Sequence, residues 1–295
     1  MKVFLTGATG FIGTVLVSEL MHAGHTVAGL ARSEAGARRL TAVGAQAHLG
    51  SLEDLDGLNR WAGLSDAVIH CAYDNDLSNA NENDRREAGA IAALSEGLEG
   101  SQRPLILTSV TGMGAAGPGQ IATEDFYDPN TPNPRRVTEI AGAAALERGA
   151  NVSIMRLAQV HNTLKQGFVS ALIAVARQKG VSAYIGDGAQ RWPAVHVLDV
   201  ARLFRLALQR HEPGSRYHAV DEEGIPLRQI AEVIGARLGI PVVSVSPDQA
   251  KSHFGWLAMF VGMDMPASSL QTQQLVRWHP SGPGLIHDLE RSISA

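Results

Sequence analysis

The fold is decided by the stretch KVFLTGATGFIG, residues 2–13. The apolar run from Lys2 to Thr6 predicts a short buried strand, and the periodic pattern that follows predicts a helix. Gly7, Gly10 and Gly13 lie where these two elements meet, and bare backbone N–H groups at a helix N-terminus attract a pyrophosphate. A glycine-rich turn that binds nothing is the alternative, but the position directly after an N-terminal strand favours a nucleotide-binding loop.

Length and composition set the outer limits of function. The 295 residues suffice for one large α/β domain with a smaller lobe. The net charge of −4 argues against nucleic acid or an anionic membrane as the main partner. No stretch reaches the ~18–20 apolar residues of a membrane span, and the single Cys71 forms no internal disulfide. We expect a cytoplasmic protein with a small-molecule substrate, and a homodimer as its further assembly.

The second strand indicates which dinucleotide is bound. Residues 25–33, HTVAGLARS, would end in an Asp or Glu if the ribose 2′-hydroxyl of NAD were recognised. Ala31 lies in that neighbourhood instead, followed by Arg32 and Ser33. A guanidinium pairs well with a 2′-phosphate, and the missing carboxylate removes a repulsion. We therefore predict NADP(H) over NAD(H), the alternative being that Arg32 is a solvated strand-end residue.

Further strands alternate with helical or loop segments along the first half of the chain. They are predicted at residues 46–54, 67–73, 104–110 and 152–160. Because these strands are continuous apolar runs, they predict a parallel sheet covered by helices on both faces. The fold class is therefore α/β, a doubly wound Rossmann sheet.

Several motifs together resemble a known superfamily. In order and spacing, TGATGFIG, HLGSLEDL, VIHCAY, LILTSV and RLAQVH resemble the extended short-chain dehydrogenase/reductases, and residues 180–208 look like their NAD-dependent epimerase/dehydratase-like branch. The resemblance implies a Rossmann domain over residues 1–165, to which the chain returns at about 191–215. A smaller C-terminal substrate-binding lobe takes most of 166–295. It also implies an NADP(H)-dependent oxidoreductase of the carbonyl reductase or alcohol dehydrogenase type.

The predicted cofactor contacts share a position at the carboxyl ends of the strands, where open α/β sheets bind ligands. They are Gly7, Thr9, Gly10, Phe11, Ile12, Gly13, Arg32, Ser33, Gly50, Ser51, Leu52, Cys71, Ala72, Tyr73, Ser109, Leu157 and Val160.

The acid–base pair of the superfamily is missing. Its members use a Tyr to transfer a proton and a Lys four residues later to lower the pKa of that Tyr, but here no tyrosine has a lysine at that spacing. Matching the helix that would carry the pair puts Arg135 at the Tyr position and Glu139 at the Lys position. One interpretation is an exposed ion pair within the helix. The other is that Arg135 stabilises a developing oxyanion while Glu139 contacts the ribose hydroxyls.

Other side chains are candidates for the missing acid. Hydride delivery to a carbonyl makes an alkoxide, which must be protonated as it forms. Tyr73 after the fourth strand and His161 past the sixth are the candidate acids, and each also has an ordinary structural explanation. The imidazole has a suitable pKa, whereas the phenol needs a neighbouring cation to ionise. Ser109 fits the position of the superfamily's Ser, which orients the carbonyl.

The C-terminal part is expected to form the wall of the substrate site. Trp192, His196 and residues 254–260 are candidates for lining it, and Trp256 with Met259 suggests an apolar pocket. Asp199 is predicted to cap a helix. Residues 226–241 predict another helix, with Pro226 at its start and Gly239 at its end.

Three functions remain open from the sequence. The first is the oxidoreductase with a replaced acid. The second is a non-redox isomerase, lyase or cyclase on the same fold, and the third is a catalytically silent NADP(H)-binding sensor or partner protein. A solvent-exposed Arg135 would favour the third, whereas Arg135 and His161 converging within about 4 Å of the nicotinamide site would favour the first two. The histidines lack zinc-ligand spacing, so we predict no metal.

Overall fold

A parallel seven-stranded sheet forms the centre of the protein, whose computed structural model describes residues 1–74 and 79–292. The strand order is β10-β6-β5-β4-β1-β2-β3, and every neighbouring pair is parallel. These strands are β1 Lys2–Thr6, β2 Thr26–Ala31, β3 Gln46–Leu49, β4 Ala67–His70, β5 Leu105–Val110, β6 Val152–Leu157 and β10 Arg216–Ala219. The predicted doubly wound Rossmann sheet is confirmed.

Helices cover both faces of this sheet. Those packed on it are α1 Phe11–His22, α2 Glu34–Ala42, α3 Leu55–Gly63, α4 Ala80–Glu96, α5 Arg136–Glu147, α7 Val197–Arg210 and α11 Leu270–Val276. The helices of the C-terminal lobe are α6 Val169–Lys179, α8 Leu227–Leu238, α9 Pro247–Phe254, α10 Ala258–Val261 and α12 Leu285–Ser292. Successive residues of β1 point to opposite faces, as the two-residue period of a strand requires. Leu5 packs with Leu16 of α1 and Phe204 of α7, whereas Phe4 packs with Leu58 of α3 and contributes to the core that α4 also lines.

The C-terminal lobe has its own core and two small sheets. β7 Gln159–His161, β9 Arg191–His196 and β11 Glu222–Pro226 form a three-stranded sheet, and β8 Ser182–Ile185 pairs with β12 Val242–Val245. Trp192, Phe254 and Leu289 are among the buried side chains of this core. The chain returns to the central sheet through α7 and β10. A search of the described residues for a helix long and apolar enough to cross a bilayer finds none.

Strand and helix ends correct several sequence predictions. β4 ends at His70, so Cys71 to Tyr73 lie in the loop beyond it, and the strand predicted at 46–54 stops at Leu49. The cap predicted for Asp199 is wrong, because α7 begins at Val197 and His196 is its N-cap. The Asp199 carboxylate, which is buried, instead accepts hydrogen bonds from the backbone N–H groups of residues 281 and 282. By contrast, Pro226 and the left-handed Gly239 bound α8 as expected.

Candidate active site

The loops after β1 and β4 meet at the point where the strand order reverses. A Cβ atom on Gly7 would lie 2.7 Å from the backbone nitrogen of Ala72, and its φ is +70°, so only glycine fits between the two strand ends. A Cβ atom on Gly13 would overlap the carbonyl oxygen of Gly7, which sets how closely α1 approaches the loop. The crevice at such a reversal is where open α/β sheets bind nucleotides.

The first turn of α1 has free backbone donors that face this crevice. Gly10 is the N-cap in an extended conformation and provides no side-chain cap, so the N–H groups at the start of the helix stay available. Thr9, Phe11 and Ile12, all partly exposed, surround that end. This arrangement fits a pyrophosphate, because donors and the helix dipole both favour an anion there.

The adenosine end of the predicted site follows β2. Arg32 is exposed directly after that strand, and the Ser33 hydroxyl is used as the cap of α2, where it accepts a hydrogen bond from Gly36 N at 3.2 Å. The Gly50 N–H donates to the Ala31 carbonyl at 3.1 Å, which brings the loop containing Ser51 and Leu52 beside the end of β2. The residues predicted from sequence therefore lie together at this edge of the sheet.

Arg135 and Tyr73 form the centre of the candidate catalytic cluster. The guanidinium carbon of Arg135 lies 3.5 Å from the centre of the Tyr73 ring, a cation–π contact. Its Nη2 donates to the carbonyl of Thr108, next to Ser109 at the end of β5. Arg135 is the N-cap of α5, and its side chain is only 11% exposed. The arginine therefore points inward, toward the carboxyl edge of the sheet.

Two polar atoms of this cluster remain unused. The Ser109 hydroxyl is buried, and neither its oxygen nor the Arg135 Nε has a hydrogen-bond partner within the described part of the chain. Buried polar groups are normally satisfied, so such atoms indicate where a ligand supplies the partner. The glycine loop and these two atoms therefore fit a nicotinamide dinucleotide and a polar substrate group.

Burial and charge act in opposite directions on the Tyr73 phenol. Burial raises its pKa, while the positive charge of Arg135 lowers it without cancelling the effect of burial. The phenol is therefore protonated at neutral pH and can act as a proton donor. Cys71 is a different case, because burial raises the pKa of its thiol to about 12 although Thr108 donates a hydrogen bond to the sulfur. It is no thiolate nucleophile.

Glu139 does not belong to this cluster. Both of its carboxylate oxygens accept 2.8 Å hydrogen bonds from Arg156 of β6, and Arg216 approaches to 3.5 Å. Glu139 and Arg156 are buried. The interpretation of Arg135 and Glu139 as an exposed ion pair within the helix is therefore wrong. The Glu139 carboxylate, which was predicted to contact the ribose hydroxyls, is instead bound by Arg156.

His161 lies in the three-stranded sheet and in a separate hydrogen-bond network. Its Nδ1 lies 2.7 Å from an Asp288 carboxylate oxygen of α12, and its ring meets His196 edge to face. Burial lowers the pKa of His161, although Asp288 opposes this effect, so the imidazole is neutral at pH 7. Leu157 is the last residue of β6, and Val160 is buried in the hydrophobic core that α1 and α7 line.

Sequence reasoning missed a buried polar group beneath Arg135. Glu87 of α4 lies 3.9 Å from Arg135 Nη2 and accepts a 2.6 Å hydrogen bond from Thr138. Its second oxygen is 3.2 Å from His70 Nε2, and His70 Nδ1 is 2.8 Å from the Thr6 hydroxyl. Neither spacing nor composition marks this set, because Glu87 directly follows the polar and charged residues 81–86 and is therefore expected to be solvated.

The C-terminal lobe carries a group of aromatic side chains and an arginine whose charge is paired with a carboxylate. Phe168 and Phe260 have ring centres 4.5 Å apart, and Trp256 packs edge-on against both while remaining 58% exposed. Arg191 forms two hydrogen bonds to the carboxylate of Asp264, at 2.8 and 3.0 Å.

Not every predicted lining residue is available to a substrate. Trp192 is fully buried in the lobe core and donates to the Phe260 carbonyl at 3.2 Å, while the His196 ring caps α7. Met259 is exposed, as an apolar wall requires. Over the described ranges, no cluster of three or more His, Cys, Asp or Glu side chains could hold a metal ion.

Comparison with known proteins identifies the family of this chain. Residues 3–221 match the NAD dependent epimerase/dehydratase family, and the chain belongs to it. An uncharacterised protein of Schizosaccharomyces pombe is 47% identical over 98% of both chains. A 4-hydroxy-2-methyl-3-oxo-4-farnesyl-3,4-dihydroquinoline-1-oxide ketoreductase of Stigmatella aurantiaca is 25% identical, over 94% of this chain and 87% of its own length. The dTDP-glucose 4,6-dehydratase of Streptomyces venezuelae, solved with NAD, superposes with a TM-score of 0.79 at 19% identity, covering 99% of this chain and 96% of that one.

Proposed function

We propose that this protein is an NADP(H)-dependent oxidoreductase that reduces a small, uncharged carbonyl compound. The observation that carries the proposal is the cluster of Tyr73, Arg135 and Ser109 at the carboxyl ends of β4 and β5, with the Ser109 hydroxyl and Arg135 Nε unused. This cluster lies beside a glycine loop shaped for a dinucleotide. The inward position of Arg135 favours an enzyme over a silent binder.

The residues divide the chemistry between them. When bound, a reduced nicotinamide supplies the hydride for the carbonyl carbon. Ser109 donates a hydrogen bond to the carbonyl oxygen and orients it. Tyr73 gives its phenolic proton to that oxygen, so its O–H bond breaks as the alcohol O–H forms. Arg135 stabilises the phenolate that remains, and solvent reprotonates it.

The preference for NADP(H) rests on the end of β2. Arg32 is exposed there, and Arg38 and Arg39 are exposed on the following helix. The strand ends in Ala31, without the acidic residue that would bind a ribose 2′-hydroxyl and repel a 2′-phosphate. These features support a phosphate-bearing ribose.

The substrate class rests on the wall of the lobe. The aromatic group of Phe168, Trp256 and Phe260 favours apolar contacts. The Arg191 charge is compensated by Asp264, so this cation is not free to hold the phosphates of a sugar nucleotide. An uncharged ketone or aldehyde suits such a surface better.

The test is a titration of the purified protein with NADPH and NADH, followed by nicotinamide fluorescence. We expect NADPH to bind at least about tenfold more tightly, a difference of ~1.4 kcal/mol. A panel of uncharged ketones and aldehydes is then screened for NADPH oxidation, with a sugar nucleotide as the comparison. If NADPH binds but none of these substrates causes its oxidation, the result would support the non-redox enzyme or the catalytically silent binding protein. If neither nucleotide binds, the proposal fails.

A further inference from the structure

Glu87 occupies a position that the proposed reaction does not explain. It lies on α4, its side chain is 2% exposed, and it faces the guanidinium of Arg135 across the gap to α5. A buried carboxylate is costly unless its oxygens are paired. Here each oxygen has a partner, Thr138 on one side and His70 on the other.

The set continues to the cofactor loop. His70 Nδ1 is 2.8 Å from the Thr6 hydroxyl, and that hydroxyl also accepts the Ala72 N–H at 3.2 Å. Thr6 directly precedes Gly7, and Ala72 directly precedes Tyr73. One buried network therefore joins the last residue before the glycine loop, the backbone next to Tyr73 and the side chain of Arg135.

We propose that Glu87 is a positioning residue, which fixes the Arg135 guanidinium against the Tyr73 ring and limits how strongly its charge acts on the phenol. Without a counter-charge, the largely buried guanidinium would be an uncompensated cation, which is costly. The Glu87 carboxylate, 3.9 Å from Arg135 Nη2, holds the guanidinium at the ends of β4 and β5. The inference rests on the proposed function for the role of Tyr73, but its structural content stands without a substrate.

The charges around Tyr73 give the direction of the effect. Arg135 of α5 lowers the pKa of the phenol, whereas Glu87 and Asp84 of α4 raise it in addition to burial. The carboxylate of Glu87 is itself ionised, because His70, Arg135 and Thr138 together outweigh the effect of burial and lower its pKa. A neutral side chain at position 87 that keeps Arg135 in place would therefore remove the opposing charge of Glu87 and lower the pKa of the Tyr73 phenol.

Glu87→Gln removes this charge with little other change. The amide oxygen still accepts from Thr138. The amide nitrogen can donate to His70 Nε2, provided that His70 takes the tautomer in which Nδ1 is the donor to Thr6. The matched control is Glu82→Gln on the same helix, because Glu82 is exposed and pairs loosely with Arg85 at 3.7 Å.

The experiment is an ultraviolet difference titration of tyrosinate in the ligand-free protein. Subtracting the titration of Tyr73→Phe isolates the Tyr73 signal in each background. We expect Glu87→Gln to shift the Tyr73 midpoint to lower pH and Glu82→Gln to leave it in place. An unchanged midpoint in Glu87→Gln, or an equal shift in both variants, overturns the inference.

A second variant guards against failed folding of Glu87→Gln. Glu87→Asp retains the charge but draws the carboxylate back by one methylene, so its midpoint should move in the same direction by a smaller amount. A shift to higher pH in this variant contradicts the inference. Because no nucleotide is present, failure of the proposed oxidoreductase function would appear in the NADPH titration and not in this one.

Discussion

Glu139 of α5 and Arg156 of β6 form a buried ion pair with two 2.8 Å hydrogen bonds. Arg156 also donates to the carbonyls of Thr123 and Phe126, in the segment that follows β5. The pair therefore fixes α5 on the sheet and ties down the loop beside it. Arg135, one helical turn earlier, is thereby presented at the carboxyl edge.

Breaking this pair should destabilise the whole domain. Glu139→Gln leaves the buried Arg156 charge uncompensated, and such changes cost about 3–5 kcal/mol. Glu232→Gln is the control, because Glu232 forms an exposed pair with Arg228 within α8 and such solvated pairs contribute little to stability. Denaturant unfolding measures both. Equal free energies of unfolding for the two variants would contradict a structural role for Glu139.

The fold was predictable because its signals are local. The glycines at 7, 10 and 13 lie between one strand and one helix, and β1, β2, β4 and β5 are largely apolar runs. The edge strand β10, with the sequence RYHA, is no such run and was not predicted. A pattern of period two or 3.6 records such features within a few residues. The ends of the strands were predicted less accurately, because the sequence does not show where hydrogen bonding to the neighbouring strand stops.

The site was predicted only in part because its contacts are distant in sequence. Spacing suggested that Arg135 pairs with Glu139, four residues away, since such neighbours share a helix face. The actual partners of Arg135 are Tyr73, in the loop after β4, and Glu87 of α4, which the fold brings close to it. Because Arg156 is buried beside Glu139, leaving the Arg156 charge uncompensated would cost far more free energy than losing a surface ion pair between Arg135 and Glu139.

The closeness of α1 to the first loop predicts the effect of Gly13→Ala. The added methyl group would overlap the Gly7 carbonyl, so the loop must shift and NADPH affinity should fall by at least about tenfold, ~1.4 kcal/mol. Gly89→Ala in α4 is the control, since its nearest neighbour is Leu55 at 3.7 Å and alanine favours a helix. Fluorescence titration compares the two. Normal NADPH binding by Gly13→Ala would separate the loop from the cofactor.

Arg32→Asp should abolish the preference for NADPH. The substitution exchanges a cation for a carboxylate at the end of β2, which repels a 2′-phosphate and can accept a hydrogen bond from a 2′-hydroxyl. We expect weaker NADPH binding and unchanged or stronger NADH binding, with Arg103→Gln, away from this strand, as the comparison. The ratio of the two dissociation constants is measured. A ratio equal to that of the unaltered protein would show that Arg32 does not contact the phosphate.

His218 predicts how stability depends on pH. Burial, with a further contribution from Arg156, lowers the pKa of His218 to about 3, against ~6.5 in an unfolded chain. The unfolded state therefore binds more protons below pH ~6.5, so this stabilising contribution is complete above that pH and is lost as the pH falls toward 3. Denaturant unfolding at pH 7 and pH 5 should show a smaller loss for His218→Asn than for the unaltered protein. His279→Gln, at an exposed position, should behave like the unaltered protein.

Tyr73→Phe tests the proposed acid directly. The substitution removes one hydroxyl and keeps the ring over which Arg135 lies, so NADPH binding should be unchanged. Loss of a general acid lowers rates by about 10²–10⁴-fold, and we expect that loss in kcat for NADPH-dependent reduction of whichever carbonyl the screen identifies. Tyr184→Phe is the matched control, because Tyr184 lies on β8 of the lobe beside Arg228. Equal rates for both variants would show that the proton comes from another group or from water, and Arg135 would then act on the substrate oxygen itself.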